Sequence, residues 1–216
     1  MKLRNLPLLV LALAVAGCGG LFTNPGPAPV TYVLRPAFVA APPAEAVAPA
    51  AVLQLATVAV APGYATADVL VTRPDRRLDV FAASRWPDEL PRVVNELALG
   101  ALRGVAGLEA HDAAAPVAAS HVLRLTVRRF DAEYREDGAA PLVRVIIDGV
   151  VVRRRDRQVL GSFTADAAVP ATGNRMSAIV EAFERAAAEA LTLTAGRTGE
   201  VIRTPSSGHG TATADP

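Results

Sequence analysis

Residues 121–134 read His-Val-Leu-Arg-Leu-Thr-Val-Arg-Arg-Phe-Asp-Ala-Glu-Tyr, and this stretch decides the fold. Apolar and polar residues alternate at the period of a strand with one buried face. Leu123, Leu125 and Val127 share one parity, whereas Phe130, Ala132 and Tyr134 share the other. A bulge near Arg128-Arg129 would return both sets to the core side. The alternation resumes after a loop, with Val143, Val145, Ile147 and Val151 in a strand over 142–153, then Val159, Phe163 and Val169 in a strand over 159–169. The turn Arg153-Arg154-Arg155-Asp156-Arg157 joins these two as a hairpin, so residues 121–169 predict a three-stranded meander.

Helical spacing appears on both sides of the meander. After it, Asn174 is placed to cap a helix running to about Thr194, with Met176, Ile179, Val180, Phe183, Ala187, Ala190 and Leu191 inward. Glu181/Arg185 and Arg185/Glu189 are spaced to pair on its wet face. Before it, residues 87–105 predict a helix whose Pro87 needs no N–H partner and whose Asp88 and Glu89 favour the positive end of the helix dipole. Its apolar stripe is Leu90, Val93, Val94, Leu97, Ala101, Leu102 and Val105, and Gly104 and Gly107 supply the stop. Further upstream, 52–60 reads as a strand with Leu53, Leu55 and Thr57 on one face, and 67–72 and 78–82 as two more around the turn Arg73-Pro74-Asp75. Segregated helices on a mostly antiparallel sheet make a single α+β domain, with two amphipathic helices packed on one sheet.

The chain begins with Lys2 and Arg4, an apolar run from Leu6 to Ala16, and Val15-Ala16-Gly17-Cys18. This is the grammar of a secretory signal, and the apolar run is too short to span a bilayer, which takes about 20 residues. The run ending at Cys18, the only cysteine in the chain, resembles the bacterial lipobox, whose thiol is diacylated with palmitate-type chains and becomes the first residue of the mature protein. The resemblance makes Cys18 the expected lipidation site. Each buried methylene contributes about 0.8 kcal/mol, so two chains make attachment durable. Gly19 and Gly20 stand where enteric-type sorting places the aspartate that retains lipoproteins in the inner membrane, which favours the outer membrane.

Four segments follow: a signal peptide over 1–17; an anchor and Pro/Ala-rich tether over 18–50, with a short strand at 31–34; the α+β domain over 51–196; and a Thr/Ser/Gly-rich tail over 197–216, expected to be disordered. The formal charge of +1 falls to −1 when Lys2 and Arg4 leave with the signal. A near-neutral chain poor in aromatics has neither the field nor the stacking platforms for nucleic acid.

Few residues stand in patterns that carry chemistry. His111, His121 and His209 stand at no spacing that sets two ligands on one face, so no metal and no cofactor beyond the lipid is expected. Ser84, Ser120, Ser162 and Ser177 lack a Gly-x-Ser-x-Gly frame, and there is no glycine-rich phosphate loop. Asp148 and Asp166 are candidates for a carboxylate pair, or solvent-face partners of Arg144 and the arginine turn. No enzyme is expected. Two surface features are candidate partner contacts. Trp86, after Ser84-Arg85, either marks an interface or staples the helix start onto the core. Arg154 and Arg155 either meet an acidic partner or lipid headgroups, or keep a hairpin tip soluble.

The lipobox, the strand Tyr32-Val33-Leu34, and the stretch from Leu78-Asp79-Val80-Phe81 to Arg85-Trp86-Pro87-Asp88-Glu89-Leu90-Pro91 together resemble the ABC-type transport auxiliary lipoproteins. The best-known member is the paraquat-inducible lipoprotein, encoded beside membrane-spanning MCE-domain proteins. The resemblance covers roughly residues 31–195. Pro87, the long segment 36–50 and the C-terminal tail depart from the family pattern. The resemblance implies an outer-membrane lipoprotein facing the periplasm, a docking subunit of an MCE/ABC-type phospholipid transport system. Its partners would be the MCE protein with its permease and ATPase, the membrane, phospholipid and further copies of itself. The alternative is a structural or assembly lipoprotein that binds a barrel or cell-wall polymer without a transporter.

Overall fold

The computed structural model describes residues 28–38 and 51–204. The signal segment, Cys18, residues 39–50 and residues 205–216 with His209 lie outside the described residues. In chain order the elements are β1 (Val30–Thr31), β2 (Ala51–Leu55), β3 (Ala59–Val60), β4 (Asp68–Thr72), β5 (Leu78–Arg85), α1 (Leu90–Leu102), β6 (Leu108–His111), β7 (His121–Glu133), β8 (Leu142–Arg153), β9 (Gln158–Pro170) and α2 (Met176–Arg203).

The organising element is β7. One edge pairs antiparallel with β8, which pairs antiparallel with β9, as the sequence predicts. The other edge serves three short strands in succession, all parallel to it: β2 at His121–Leu123, β3 at Thr126–Val127 and β4 at Ala132–Glu133. The mostly antiparallel pairing expected from the sequence holds for the long strands, whereas on this side the short strands run parallel to β7, with β6 parallel beyond β2 and β1 parallel to β5. The cause is connectivity. The chain reaches β7 only after the α1 crossover, and crossover connections yield parallel neighbours. The α+β class stands, as a nine-stranded mixed sheet.

The bulge in β7 falls where parity demands it. Val127 pairs with Ile147 and Arg129 with Ile146, so Arg128 is the extra residue. Leu123, Leu125, Val127, Phe130 and Ala132 are all buried. They meet Val143, Val145, Ile147 and Val151 of β8 on the face that the helices cover, and α2 lies over β8 and β9. An aromatic trio closes this core. Trp86 stands edge-on to Phe130 (6.0 Å, 85°) and to Phe183 of α2 (5.2 Å, 78°), while Phe130 and Phe183 stack at 5.3 Å. Such pairs contribute about 0.5–1.5 kcal/mol each beyond their buried area.

Several boundaries differ from the sequence reading, each for a local reason. The strand predicted over 52–60 breaks at 56–58, leaving Thr57 exposed and Val58 buried. The short strand read at 31–34 lies at Val30–Thr31. The first helix begins at Leu90 because the Trp86 and Leu90 amides are still tied to the Ala67 and Thr66 carbonyls, at 2.6 and 3.0 Å. Pro91, not Pro87, takes its proline-tolerant first turn. Asn174 does not cap α2; its Oδ1 accepts the Tyr134 hydroxyl, and Arg175 precedes the helix. Arg185 donates to the Pro170 carbonyl. Val159 is 59 % exposed because a second bulge, between Val151 and Val152, turns it to the outer face.

The tail expected from residue 197 is also corrected, since α2 continues to Arg203. Its last turns bury Thr194, Thr198 and Gly199. The two hydroxyls can be buried because each donates to the carbonyl four residues back, at 2.8 Å. Gly199 lets Val105 approach so closely that a Cβ there would lie 2.9 Å from it.

Candidate functional site

Residues 32–38 leave β1 and cross the helical layer. Leu34 is buried, Pro36 and Ala37 lie beside Glu181, Glu184 and Arg185 of α2, and Phe38 lies against Gly100 of α1. Between this strap, α1, the break at Thr57–Val58 and residues 112–114 opens a groove of about 710 Å³. That volume is typical of ligand-binding clefts, roughly 300–1,000 Å³. Its floor is Leu34, Val58 and Val93, and its walls include Val33 and Leu97. Asp88, just before α1, and Arg92 and Glu96 on it follow one another at four-residue spacing along the rim, and Asp112 is part of the lining from the loop after β6. Arg92 is ion-paired to Asp88 at 3.4 Å. Asp112 is fixed by accepting the Ala114 and Ala115 amides at 2.8 and 2.9 Å.

A second polar cluster is buried rather than open. Asp131, on the outer-face parity of β7, is fully buried. Its Oδ1 accepts from the Tyr64 hydroxyl (2.9 Å) and Arg129 Nε (3.0 Å), and its Oδ2 from Thr72 (2.6 Å) and Arg129 Nη2 (2.8 Å). Those four bonds fill the acceptor capacity of a carboxylate, so Asp131 has no lone pair left for a substrate. Burial, then the Asp131 charge, holds the Tyr64 phenol well above its ordinary range. The hydrogen bond to Asp131 raises Arg129 further, and Arg129 also pairs with Glu133 at 2.9 Å. The cluster pins the loop carrying Tyr64 and strand β4 onto β7 just past the bulge.

The candidate contacts separate. Trp86 is 1 % exposed and belongs to the aromatic core, so it is no surface contact. Arg154 and Arg155 are exposed at the β8–β9 tip, while Arg153 is engaged by Asp156 and Gln158. The Arg153 hydrogen bond holds the Asp156 carboxyl below its ordinary range. Asp148 and Asp166 pair on the outer face with Arg128 (3.1 Å) and Arg144 (2.8 Å) rather than with each other. Among the described residues no group of three or more His, Cys, Asp and Glu side chains is set to hold a metal.

Sequence reasoning missed both the groove and the Asp131 cluster. The polar alternation Arg129-x-Asp131-x-Glu133, past the bulge and near the end of a long strand, was the available signal for the cluster. The groove has no local signature, because residues 33, 58, 97 and 112 meet only in the fold.

The family model for the ABC-type transport auxiliary lipoprotein component matches residues 32–193, from the strap through most of α2. Among solved structures, a Xanthomonas campestris protein assigned to DUF330 is 18 % identical, with 80 % of this chain and 96 % of that one covered and a TM-score of 0.70. An uncharacterized protein is 16 % identical, with 79 % and 99 % covered and a TM-score of 0.62. At these identities the likeness is one of fold. No curated protein matches the chain.

Proposed function

The chain belongs to the family of ABC-type transport auxiliary lipoprotein components, and from that membership we propose that it is the non-enzymatic docking subunit of an MCE/ABC-type lipid transport system. Diacylated Cys18 holds it in the outer membrane, facing the periplasm, where the domain receives an MCE protein whose permease and ATPase sit in the inner membrane. The observation that carries the reading is the extent of the family match, which takes in the strap, the groove walls and the core aromatics together.

The chain's geometry supports such a role. Cys18 stands twelve residues before Val30, so the domain can sit at most about 40 Å from the lipid anchor. It enters the fold through β1, at the edge of the sheet, and the strap then borders the groove. The anchor therefore leads directly to the face that carries the apolar groove.

The test is in-cell crosslinking of the full-length acylated protein, followed by affinity capture and mass spectrometry of the envelope. Recovery of an MCE-domain protein with its permease is expected. Recovery of barrel or cell-wall components alone would overturn the transport reading.

A further inference from the structure

We propose that the groove beside α1 seats an apolar peptide segment flanked by arginine or lysine, supplied by a protein partner. This rests on the docking reading and names the surface and the chemistry through which docking occurs. The floor is apolar and already desolvated: Leu34, Val58 and Val93 are each less than a tenth exposed. Val33, on the strap, is 52 % exposed, an apolar wall with no covering among the described residues. An apolar segment laid there removes Val33 and the half-buried Leu97 from water, the main source of favourable association.

The rim selects the sign of the occupant. Three carboxylates, Asp88, Glu96 and Asp112, stand against one guanidinium, and that guanidinium is already paired to Asp88. Like charges juxtaposed at an interface are strongly disfavoured, so a fatty-acid carboxylate or anionic headgroup is rejected where a cation is welcomed. The start of α1 reinforces this choice. A helix N-terminus attracts anions through its free N–H groups, but Pro91 in the first turn has none to offer. The groove also runs lengthwise. From Pro91 to Leu97 it follows α1 for about 9 Å, at 1.5 Å rise per residue, which suits a peptide laid along a helix more than a compact ligand.

The test uses the acylated full chain in detergent and three fluorescent probes: a short Leu-rich peptide with arginines at both ends, the same peptide with glutamates instead, and a dansyl fatty acid. The arginine peptide is expected to bind and the glutamate peptide to bind at least about tenfold more weakly. Glu96→Arg, an exposed change that leaves the core untouched, is expected to weaken the arginine peptide about five- to tenfold and to strengthen the glutamate peptide. Leu97→Gln is expected to weaken both. Equal binding of the two peptides, insensitivity to both variants, or displacement of the peptide by the dansyl fatty acid would overturn the proposal. In cells, the variant combining Glu96→Arg with Leu97→Gln is expected to lose the MCE protein that the wild type captures. Undiminished capture would overturn the groove assignment while leaving docking intact, whereas absence of capture by the wild type counts against docking itself.

Discussion

Phe163 stands directly across the β8–β9 ladder from Gly149, and its ring fills the space that a side chain at Gly149 would need. A Cβ placed on Gly149 would lie 2.3 Å from the ring's Cζ. An aromatic residue that covers a strand glycine recovers the packing which the missing side chain forfeits. Gly149→Ala is therefore expected to destabilise the protein by about 1–3 kcal/mol, the usual cost of overpacking. Phe163→Leu alone opens space, and combined with Gly149→Ala it should recover part of the loss. Urea unfolding of the two single variants and the double variant measures the coupling. Strict additivity would show that the ring does not set the cost.

Trp86 acts through the core. It touches rings from β7 and α2 while leading into α1, so it joins three elements at one point. Trp86→Ala is expected to cost about 3–5 kcal/mol, as for other large aromatic truncations. Arg154→Ala and Arg155→Ala, at exposed positions, should stay within about 0.5 kcal/mol. Thermal unfolding separates these outcomes, and any loss of partner binding in Trp86→Ala should track the fraction unfolded. A fully folded Trp86→Ala protein that had lost only its partner would instead restore the surface-contact reading.

How much of this is legible in the sequence depends on where the information lies. The phase change between Val127 and Phe130 is legible because a bulge in a half-buried strand must appear as a shift of parity. Leu142–Arg153 is legible to the residue, since Val143, Val145, Ile147 and Val151 keep one parity along it while Arg144 and Asp148 hold the other, which leaves little freedom of register. By contrast, β3 has two residues and β4 five, too few to say which edge of β7 each will join. The C-terminal turns of α2 are hidden by composition. Thr194, Thr198 and Gly199 look like loop residues until the returned hydroxyl bonds and the contact with Val105 show why small residues belong there. The groove is hidden more deeply, because its walls come from the strap, α1 and two loops, and no single stretch carries its pattern.

Asp131 is expected to be the most sensitive polar residue. Asp131→Ala would leave the partly buried Arg129 guanidinium with Glu133 as its remaining partner and the Tyr64 and Thr72 hydroxyls without their acceptor. Removing one partner of a buried ion pair costs about 3–5 kcal/mol when the other charge is left unpaired, and the retained Glu133 contact puts this loss at the low end, about 3 kcal/mol. Tyr64→Phe deletes a single bond to a charged acceptor and should cost less, about 1.5–3 kcal/mol. Amide hydrogen exchange adds a local readout: both variants should speed exchange in β4, which the cluster holds against β7. Unchanged β4 protection in Asp131→Ala would show that the cluster is not what fastens that strand.

His121 opens β7, and burial, followed by the nearby Arg153 charge, holds its imidazole pKa below the ordinary value. Its Nδ1 lies 2.9 Å from the Ser120 hydroxyl, and its backbone register places it opposite Arg153 of β8. The folded state therefore favours the neutral ring, whereas the unfolded chain takes up a proton at the ordinary histidine pKa, about 6.5. Above that pH both states are neutral and the full stability is present. As pH falls through 6.5 toward the lower folded pKa, the unfolded state binds more protons and stability declines. His121→Gln, which cannot titrate, should flatten that part of the stability profile between about pH 7 and 5 without altering the high-pH plateau by more than the local packing change. Urea midpoints measured across this range on both proteins provide the check, and parallel profiles would remove His121 as the source of the decline.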